Sequence, residues 1–497
     1  MEQFFYKSLS FLKVEFMKCG IKKFFGCLLL FSCTLINGQI YQPVWQSIDS
    51  RPTPSWFSEA KFGIFIHWGV YSVPSFRPPE NGKWDGIYAE WYEPDVMYKP
   101  WRNDSFHIKN YGKDFEYRDF AKLFKAELYD PAYWAEIIYR SGARYVVFTT
   151  KHSDGFCMWP TTDPVSKNWN CEEVGPKRDL FGDLVKELRK KSLRVGSYYS
   201  FLEYENMDST TWPMNPELAH EKTGYYIPKE VFDKYTVGDS VYVNHLHYQL
   251  KELITRYQPD IIWADAVWDR PASYWRSEEI VAWILNNAPN REEIVINDRW
   301  DNGEKKHGGY ITTEYGTGAE AIDENRPWEE CQGMGYSFGL NRLEGIEQYK
   351  TSRQLVRLLV STVSRGGNLL LNIGPAADGT IPVIMQERLI QMGNWLKVNG
   401  EAIYGTQPFK QRNLLPGDFY YTYKNGTLYV IAISFPQNDI VLKNLKTKGK
   451  MNVSMLGVDK KIKFIYNKEN LKIIIPQLNP DMYQDAYVFK IEGVINE

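Results

Sequence analysis

Cysteine, histidine, net charge and long apolar runs are all scarce in this chain, and each scarcity removes a class of protein. Six cysteines and seven histidines among 497 residues are too few for a disulfide scaffold or a zinc framework. His245 and His247 form no zinc-type motif with nearby acids or cysteines, so no metal and no other cofactor is expected. Lysine and arginine total 59 against 61 acidic residues, so no excess charge draws the chain to nucleic acid or to an anionic membrane surface. The apolar run over 24–36 is too short to span a bilayer comfortably, and no membrane span is expected. Internal repeats and low-complexity tracts are absent from the sequence. Arg365-Gly366-Gly367-Asn368 is rich in glycine but lacks the Lys-Ser/Thr of a phosphate loop, and tight backbone packing explains it.

The same short run has a different use. Lys18, Lys22 and Lys23 precede it and Asn37-Gly38-Gln39 follows it, the layout of an export signal starting at Met1 or at Met17 and cleaved near Gly38. Residues 1–38 are therefore expected to be a signal peptide, and the mature protein to be periplasmic or extracellular. Leu30-Phe31-Ser32-Cys33 resembles a lipoprotein cleavage box, but the Phe before the Ser and the apolar residues after Cys33 argue against lipid anchoring. Cleavage would leave Cys157, Cys171 and Cys331, at most one disulfide with one thiol spare, so stability must come from the core.

What the chain does have is aromatic surface. Phe, Trp and Tyr make up 15% of it, with 17 Trp and 34 Tyr, many in polar, Gly-containing loops. Aromatic faces beside hydrogen-bonding groups suit the alternating C–H and O–H surfaces of sugars, although they also fill large cores. Between Trp56 and Thr406, strand-like and helix-like segments alternate. Strands are expected at 61–67, 144–150, 193–200, 258–265, 293–298 and 367–373, and helices at 131–142, 181–192, 241–257, 278–287, from Ile346 onward and at 386–398. Repeated strand, loop and helix units predict an α/β fold, a (β/α)8-type barrel over 39–405. Past Thr406 the texture changes to short alternating strands parted by turns such as Lys424-Asn425-Gly426. That predicts a C-terminal antiparallel β-sandwich of roughly ninety residues over 406–497.

Chemistry gathers where strands end. His67, His152, Tyr198, Tyr199, Asp265 and Arg299 all fall at such ends, which in a parallel barrel converge on one pocket. The apolar strand leading to Asp265, with Trp268 and Asp269 just beyond it, marks that carboxylate as a candidate nucleophile; a helix-capping Asp is the alternative. Glycoside hydrolysis needs a second carboxyl on another loop, to protonate the departing oxygen. Glu314, in Thr312-Thr313-Glu314-Tyr315, and Glu329, in Trp328-Glu329-Glu330, are the candidates, and both lie in sequence that reads as loop.

Six segments, Ala60 through Ser72 (AKFGIFIHWGVYS), Glu90-Trp91-Tyr92, Lys151-His152-Ser153-Asp154-Gly155-Phe156, Trp263-Ala264-Asp265, Asn297-Asp298-Arg299-Trp300 and Asn368 through Pro375, together resemble the α-L-fucosidases of glycoside hydrolase family 29. The resemblance runs in order from about Trp56 to Thr406. It implies a retaining exo-α-L-fucosidase that releases terminal fucose from a carbohydrate substrate through a covalent glycosyl-enzyme on Asp265. It favours Glu314 as acid/base and keeps Glu329 as second candidate and pocket residue, with the two catalytic carboxyls about 5 to 5.5 Å apart. It also implies that His67, Glu90, Trp91 and His152 bond the sugar hydroxyls. Tyr199 and Arg299 then lie beside the nucleophile, Phe65 and Phe338 surround the C5 methyl, and Trp328 joins the pocket.

Two departures leave the substrate open. Ser153 stands where the family commonly has a second histidine, and Leu340 where a tyrosine is frequent. An exo-α-L-galactosidase acting on L-galactose-containing polysaccharide by the same mechanism is therefore an alternative, since L-galactose is L-fucose with a hydroxyl on C6. An inactive carbohydrate-binding protein is a third reading, against which the presence of both Asp265 and Glu314 argues. Self-association is left open, with no residue-level argument for it.

Overall fold

Eight short strands, all pointing the same way, run through the first four-fifths of the chain with helices between most of them. The computed structural model describes residues 40–97, 106–206, 229–267, 270–303, 306–316, 326–411, 414–478 and 484–496. The segment read as an export signal and the Trp268-Asp269 pair lie outside the described residues. The strands are β1 (Phe62–Ile66), β2 (Tyr145–Lys151), β3 (Arg194–Ser200), β4 (Ile261–Asp265), β5 (Val295–Ile296), β6 (Ile311–Glu314), β7 (Trp328–Gly333) and β8 (Asn368–Ile373). They form one parallel sheet in the order β5-β4-β3-β2-β1-β8-β7-β6. The two ends of that sheet, β5 and β6, meet through the Gly309 N–H, which donates to the Ile296 carbonyl at 3.1 Å. The α/β barrel expected from the sequence is the one observed.

Side-chain alternation divides the strands between two cores. Phe65, Tyr145, Val147, Tyr198, Ile261, Trp263, Cys331 and Leu370 point inward and fill the barrel. Their neighbours Ile64, Ile66, Val146, Phe148, Val195, Tyr199, Ile262 and Ala264 point outward against the helices. Gly63 is one position where no side chain fits, since a Cβ there would lie 2.4 Å from the Tyr145 ring inside the barrel. The helix Pro131–Arg140 shows how the outer layer is built. Asp130 accepts from the Ala132 and Tyr133 amides, both at 3.0 Å, Pro131 supplies the first turn, and Trp134, Ala135, Ile137 and Ile138 are buried on one side. Each of the two isoleucines contributes roughly 2 kcal/mol by that burial.

Three expectations need correction. The helix expected from Ile346 is only a 3-10 turn over Ile346–Gln348; the helix itself is Ser352–Ser364, started by a capping box in which Thr351 and Gln354 bond each other's backbone amides. Glu314 and Glu329 are not on loops, for they lie in β6 and β7, whose polar residues hide the strand pattern. Lys463–Asn467 is a further strand. The C-terminal region is otherwise the expected antiparallel structure, with a five-stranded and a three-stranded sheet packed over their own core, which includes Leu428, Val430, Leu471, Ile473 and Phe489. The other face of the larger sheet, with Tyr429, Ile431 and Val488, joins the helical layer of the barrel. The contact is pinned where Trp395 Nε1 donates to the Ala486 carbonyl at 2.9 Å and Thr422 Oγ1 to the Ala402 carbonyl at 2.7 Å.

Candidate active site

Strand ends deliver the polar groups to one place. Asp265 closes β4, Glu314 closes β6, His67 and His152 directly follow β1 and β2, and Arg299 stands in the short segment after β5. Glu90 and Trp91 arrive on a 3-10 turn, Ala89–Trp91, within the long β1 to β2 connection. These side chains, with Phe65, Tyr88, Tyr198, Trp263, Cys331 and Phe338, line a single pocket of about 190 Å³.

Arg299 organises the two carboxylates. One terminal nitrogen donates to Asp265 Oδ1 at 2.8 Å and the other to Glu314 Oε2 at 3.1 Å, while Nε donates to Thr312 Oγ1 at 3.0 Å. The guanidinium lies over the Trp263 ring at 4.5 Å. Burial opposes its charge, but Asp265 and Glu314 outweigh burial and raise its pKa well above the ordinary value. A planar fork bonding two carboxylates through separate nitrogens fixes both in direction and in distance, which a lysine would not do. The remaining oxygens are also held: Tyr198 donates to Asp265 Oδ2 at 2.9 Å and Tyr88 to Glu314 Oε1 at 3.1 Å.

The histidines are neutral acceptors and donors. Burial, reinforced by His152, pushes His67 down to about 3, and burial does the same to His152. His67 Nδ1 bonds Asn372 Oδ1 at 2.6 Å, and the Asn372 amide nitrogen donates to the Phe338 carbonyl at 2.6 Å. That chain of bonds places the His67 proton on Nδ1 and leaves Nε2 a bare acceptor. Glu90 accepts from the Gly339 amide at 2.8 Å and from Ser337 Oγ at 3.3 Å, and burial pushes its carboxyl up to about 7.

Three residues expected in the pocket are elsewhere. Tyr199 points outward from β3, where its hydroxyl accepts from Lys151 Nζ at 2.9 Å and donates to Gln249 Oε1 at 2.8 Å. Its neighbour Tyr198 is the tyrosine beside Asp265, because successive strand residues face opposite sides. Glu329 sits deeper in the barrel, accepting from Tyr145 at 2.5 Å and from Trp263 Nε1 at 2.9 Å, and burial pushes its carboxyl up to about 7. Trp328 lies at the opposite end of β7, its Nε1 donating to the Arg365 carbonyl at 3.3 Å. Ser153 and Leu340 do not line the pocket, and Ser153 Oγ bonds Ser200 Oγ at 2.9 Å instead. Sequence reasoning missed Tyr88, Trp263 and Cys331 as lining residues. Strand alternation outward from Asp265 would have found Trp263, while Tyr88 and Cys331 carry no local signal. The three cysteines outside 1–38 are buried and unpaired.

A sequence model described as alpha-L-fucosidase matches residues 28–401, and one described as the alpha-L-fucosidase C-terminal domain matches 411–492. Tissue alpha-L-fucosidase of Mus musculus is 38% identical over 91% of this chain and 94% of its own length. The alpha-L-fucosidase of Dictyostelium discoideum is 35% identical over 94% of this chain and 98% of its own length. Among solved structures, Thermotoga maritima alpha-fucosidase in complex with a mechanism-based inhibitor superposes with a TM-score of 0.75 at 36% identity, covering 91% of this chain and all of its own.

Proposed function

The chain belongs to the α-L-fucosidase family and is a glycoside hydrolase, and from that premise we propose that it removes terminal α-L-fucose from glycans by a retaining double displacement. Asp265 is the nucleophile, attacking C1 to form a glycosyl ester while the bond to the departing oxygen breaks. Glu314 gives that oxygen its proton, then takes one from the water that opens the ester. The observation that carries this reading is the single guanidinium of Arg299, which holds one oxygen of Asp265 and one of Glu314 at 2.8 and 3.1 Å. One guanidinium bonded to both carboxyls brings them to the same pocket, as a nucleophile and an acid acting on one glycosidic bond must be.

The pocket also fits the sugar. Its volume of about 190 Å³ is below the roughly 300–1,000 Å³ of sites for drug-sized ligands, which supports removal of one terminal ring. Its polar groups His67, Glu90, His152 and Arg299 suit hydroxyls, whereas Phe65, Trp263, Cys331 and Phe338 make an apolar side for a methyl. A C6 hydroxyl buried there without a partner would cost roughly 1–3 kcal/mol, so fucose is the substrate of the proposal. The L-galactosidase and inactive-binder readings gain no support from the relatives. The apolar run between Lys23 and Gly38 supports export as part of the same proposal, which amino-terminal sequencing of the mature protein would test.

Two measurements test the mechanism. Aryl α-L-fucoside should be hydrolysed in preference to aryl α-L-galactoside, and the reverse order would move the substrate. Incubation with a 2-deoxy-2-fluoro-fucosyl fluoride should leave one fluorosugar on the peptide containing Asp265, and a label elsewhere would remove Asp265 from its role.

A further inference from the structure

Two loops that each place one ring in the pocket also carry a second ring outside it. Tyr88 and Phe338 line the pocket. Four residues before Tyr88 stands Trp84, joined to it by the bond from the Ile87 amide to the Trp84 carbonyl at 3.1 Å. Two residues before Phe338 stands Tyr336, which is exposed. The Trp84 and Tyr336 rings lie nearly parallel, 23° apart with centroids at 6.1 Å, and neither lines the pocket.

The outer pair is tied to the inner site on the side of Glu314. Tyr88 donates to Glu314 Oε1 at 3.1 Å and its ring lies nearly parallel to Tyr315, with centroids at 6.1 Å. Tyr315 in turn donates to the Tyr336 carbonyl at 2.9 Å. It holds φ at +47°, a left-handed conformation uncommon for a bulky residue, in the turn directly after Glu314. The Tyr336 and Ser337 amides both donate to Glu344 Oε1, at 2.6 and 3.0 Å, so the second loop is fixed before any substrate arrives.

Resting on the assignment of Glu314 as acid/base, we infer that Trp84 and Tyr336 bind the leaving-group sugar, the pyranose ring that receives the proton from Glu314. A general acid must lie within hydrogen-bond reach of the departing oxygen, so the sugar bearing that oxygen extends from the pocket past Glu314. On that side, among the described residues, Trp84 and Tyr336 present an aromatic pair outside the pocket, and aromatic faces take the C–H side of a pyranose with little demand for one hydroxyl pattern. The platform therefore favours a sugar in the leaving-group position without fixing its identity.

The test compares α-L-fucosyl fluoride, whose leaving group is too small to reach the platform, with a panel of α-L-fucosyl disaccharides of different linkage. For the best disaccharide, Trp84→Ala and Tyr336→Ala should each lower kcat/KM about fivefold to tenfold more than for the fluoride, the loss falling mainly on KM. Equal losses on both substrates, or none on either, would overturn the platform, as would wild-type turnover of the fluoride with no disaccharide hydrolysed. Trp84→Phe keeps a ring and should recover most of the loss. A wild-type enzyme inactive on every fucoside would instead overturn the proposed function, and the platform with it.

Discussion

Substituting Glu314 and Glu329 by Gln separates the carboxyl proposed as acid/base from the one buried deeper in the barrel, and the two should fail in different observables. Glu314 Oε2 is bonded by Arg299, which also holds Asp265. Loss of a general acid at that position should reduce kcat/KM on a fucosyl disaccharide by about 10² to 10⁴. The loss should be much smaller on 2,4-dinitrophenyl fucoside, whose leaving group needs no proton, and added azide should restore turnover with that substrate as fucosyl azide. Glu329 touches Tyr145 and Trp263 within the barrel, so E329Q should keep kcat/KM within a few-fold.

Its signature is stability against pH. Burial lifts the Glu329 carboxyl from 4.5 to about 7, which corresponds to about 3 kcal/mol between protonation states. Because the folded-state pKa lies above the unfolded one, that stabilisation is complete below pH 4.5 and is lost as pH rises through about 7. Gln does not titrate, and it exchanges one acceptor for a donor at a cost of ~1 kcal/mol. Wild type should therefore equal or slightly exceed E329Q at pH 5, and E329Q should be the more stable by about 2 kcal/mol at pH 8. Urea midpoints at the two pH values read this directly. The assignment collapses if E329Q loses more than about a hundredfold on the disaccharide with azide rescue while E314Q stays near wild type.

Other outcomes follow from the same geometry. Tyr198→Phe removes the hydrogen bond to Asp265 Oδ2 and should lower kcat about tenfold with little change in the urea midpoint, whereas Tyr199→Phe takes a partner from Lys151 and Gln249 and should cost about 1–3 kcal/mol of stability, with kinetics kept. Lys151→Met leaves Glu203 in the interior with His245 and Asn206 as its side-chain partners among the described residues, and should destabilise by about 3 kcal/mol in the same assay. Burial holds both His67 and His152 down to about 3, so neither imidazole should titrate between pH 5 and 8, and an NMR signal from either that moves near pH 6.5 would contradict the neutral assignment.

Strand ends were the legible part of this chain, and the reason is geometric. An apolar run such as Ile261, Ile262, Trp263, Ala264 has one use in a parallel sheet, burial on both faces, so the first acid after it, Asp265, can only stand at the rim. The segments holding Glu314 and Glu329 lacked that contrast. Ile311–Glu314 and Trp328–Gly333 are polar strands, whose inward residues Glu329 and Cys331 are not aliphatic, Cys331 lining the pocket and Glu329 lying deeper in the barrel. Hydropathy cannot register a strand whose inner face bonds Tyr145 and Trp263 through a carboxylate. Register was the second obstacle. Tyr198 and Tyr199 are chemically identical in sequence, yet one bonds Asp265 and the other Gln249. Counting from the strand end settles it: Ser200 pairs with Asp265 and Tyr198 with Trp263, so Tyr198 shares the inward face with Trp263 and with Asp265 two residues on. The choice between the two tyrosines is thus fixed by a pairing partner sixty-odd residues away, and that is information a local reading of β3 does not contain.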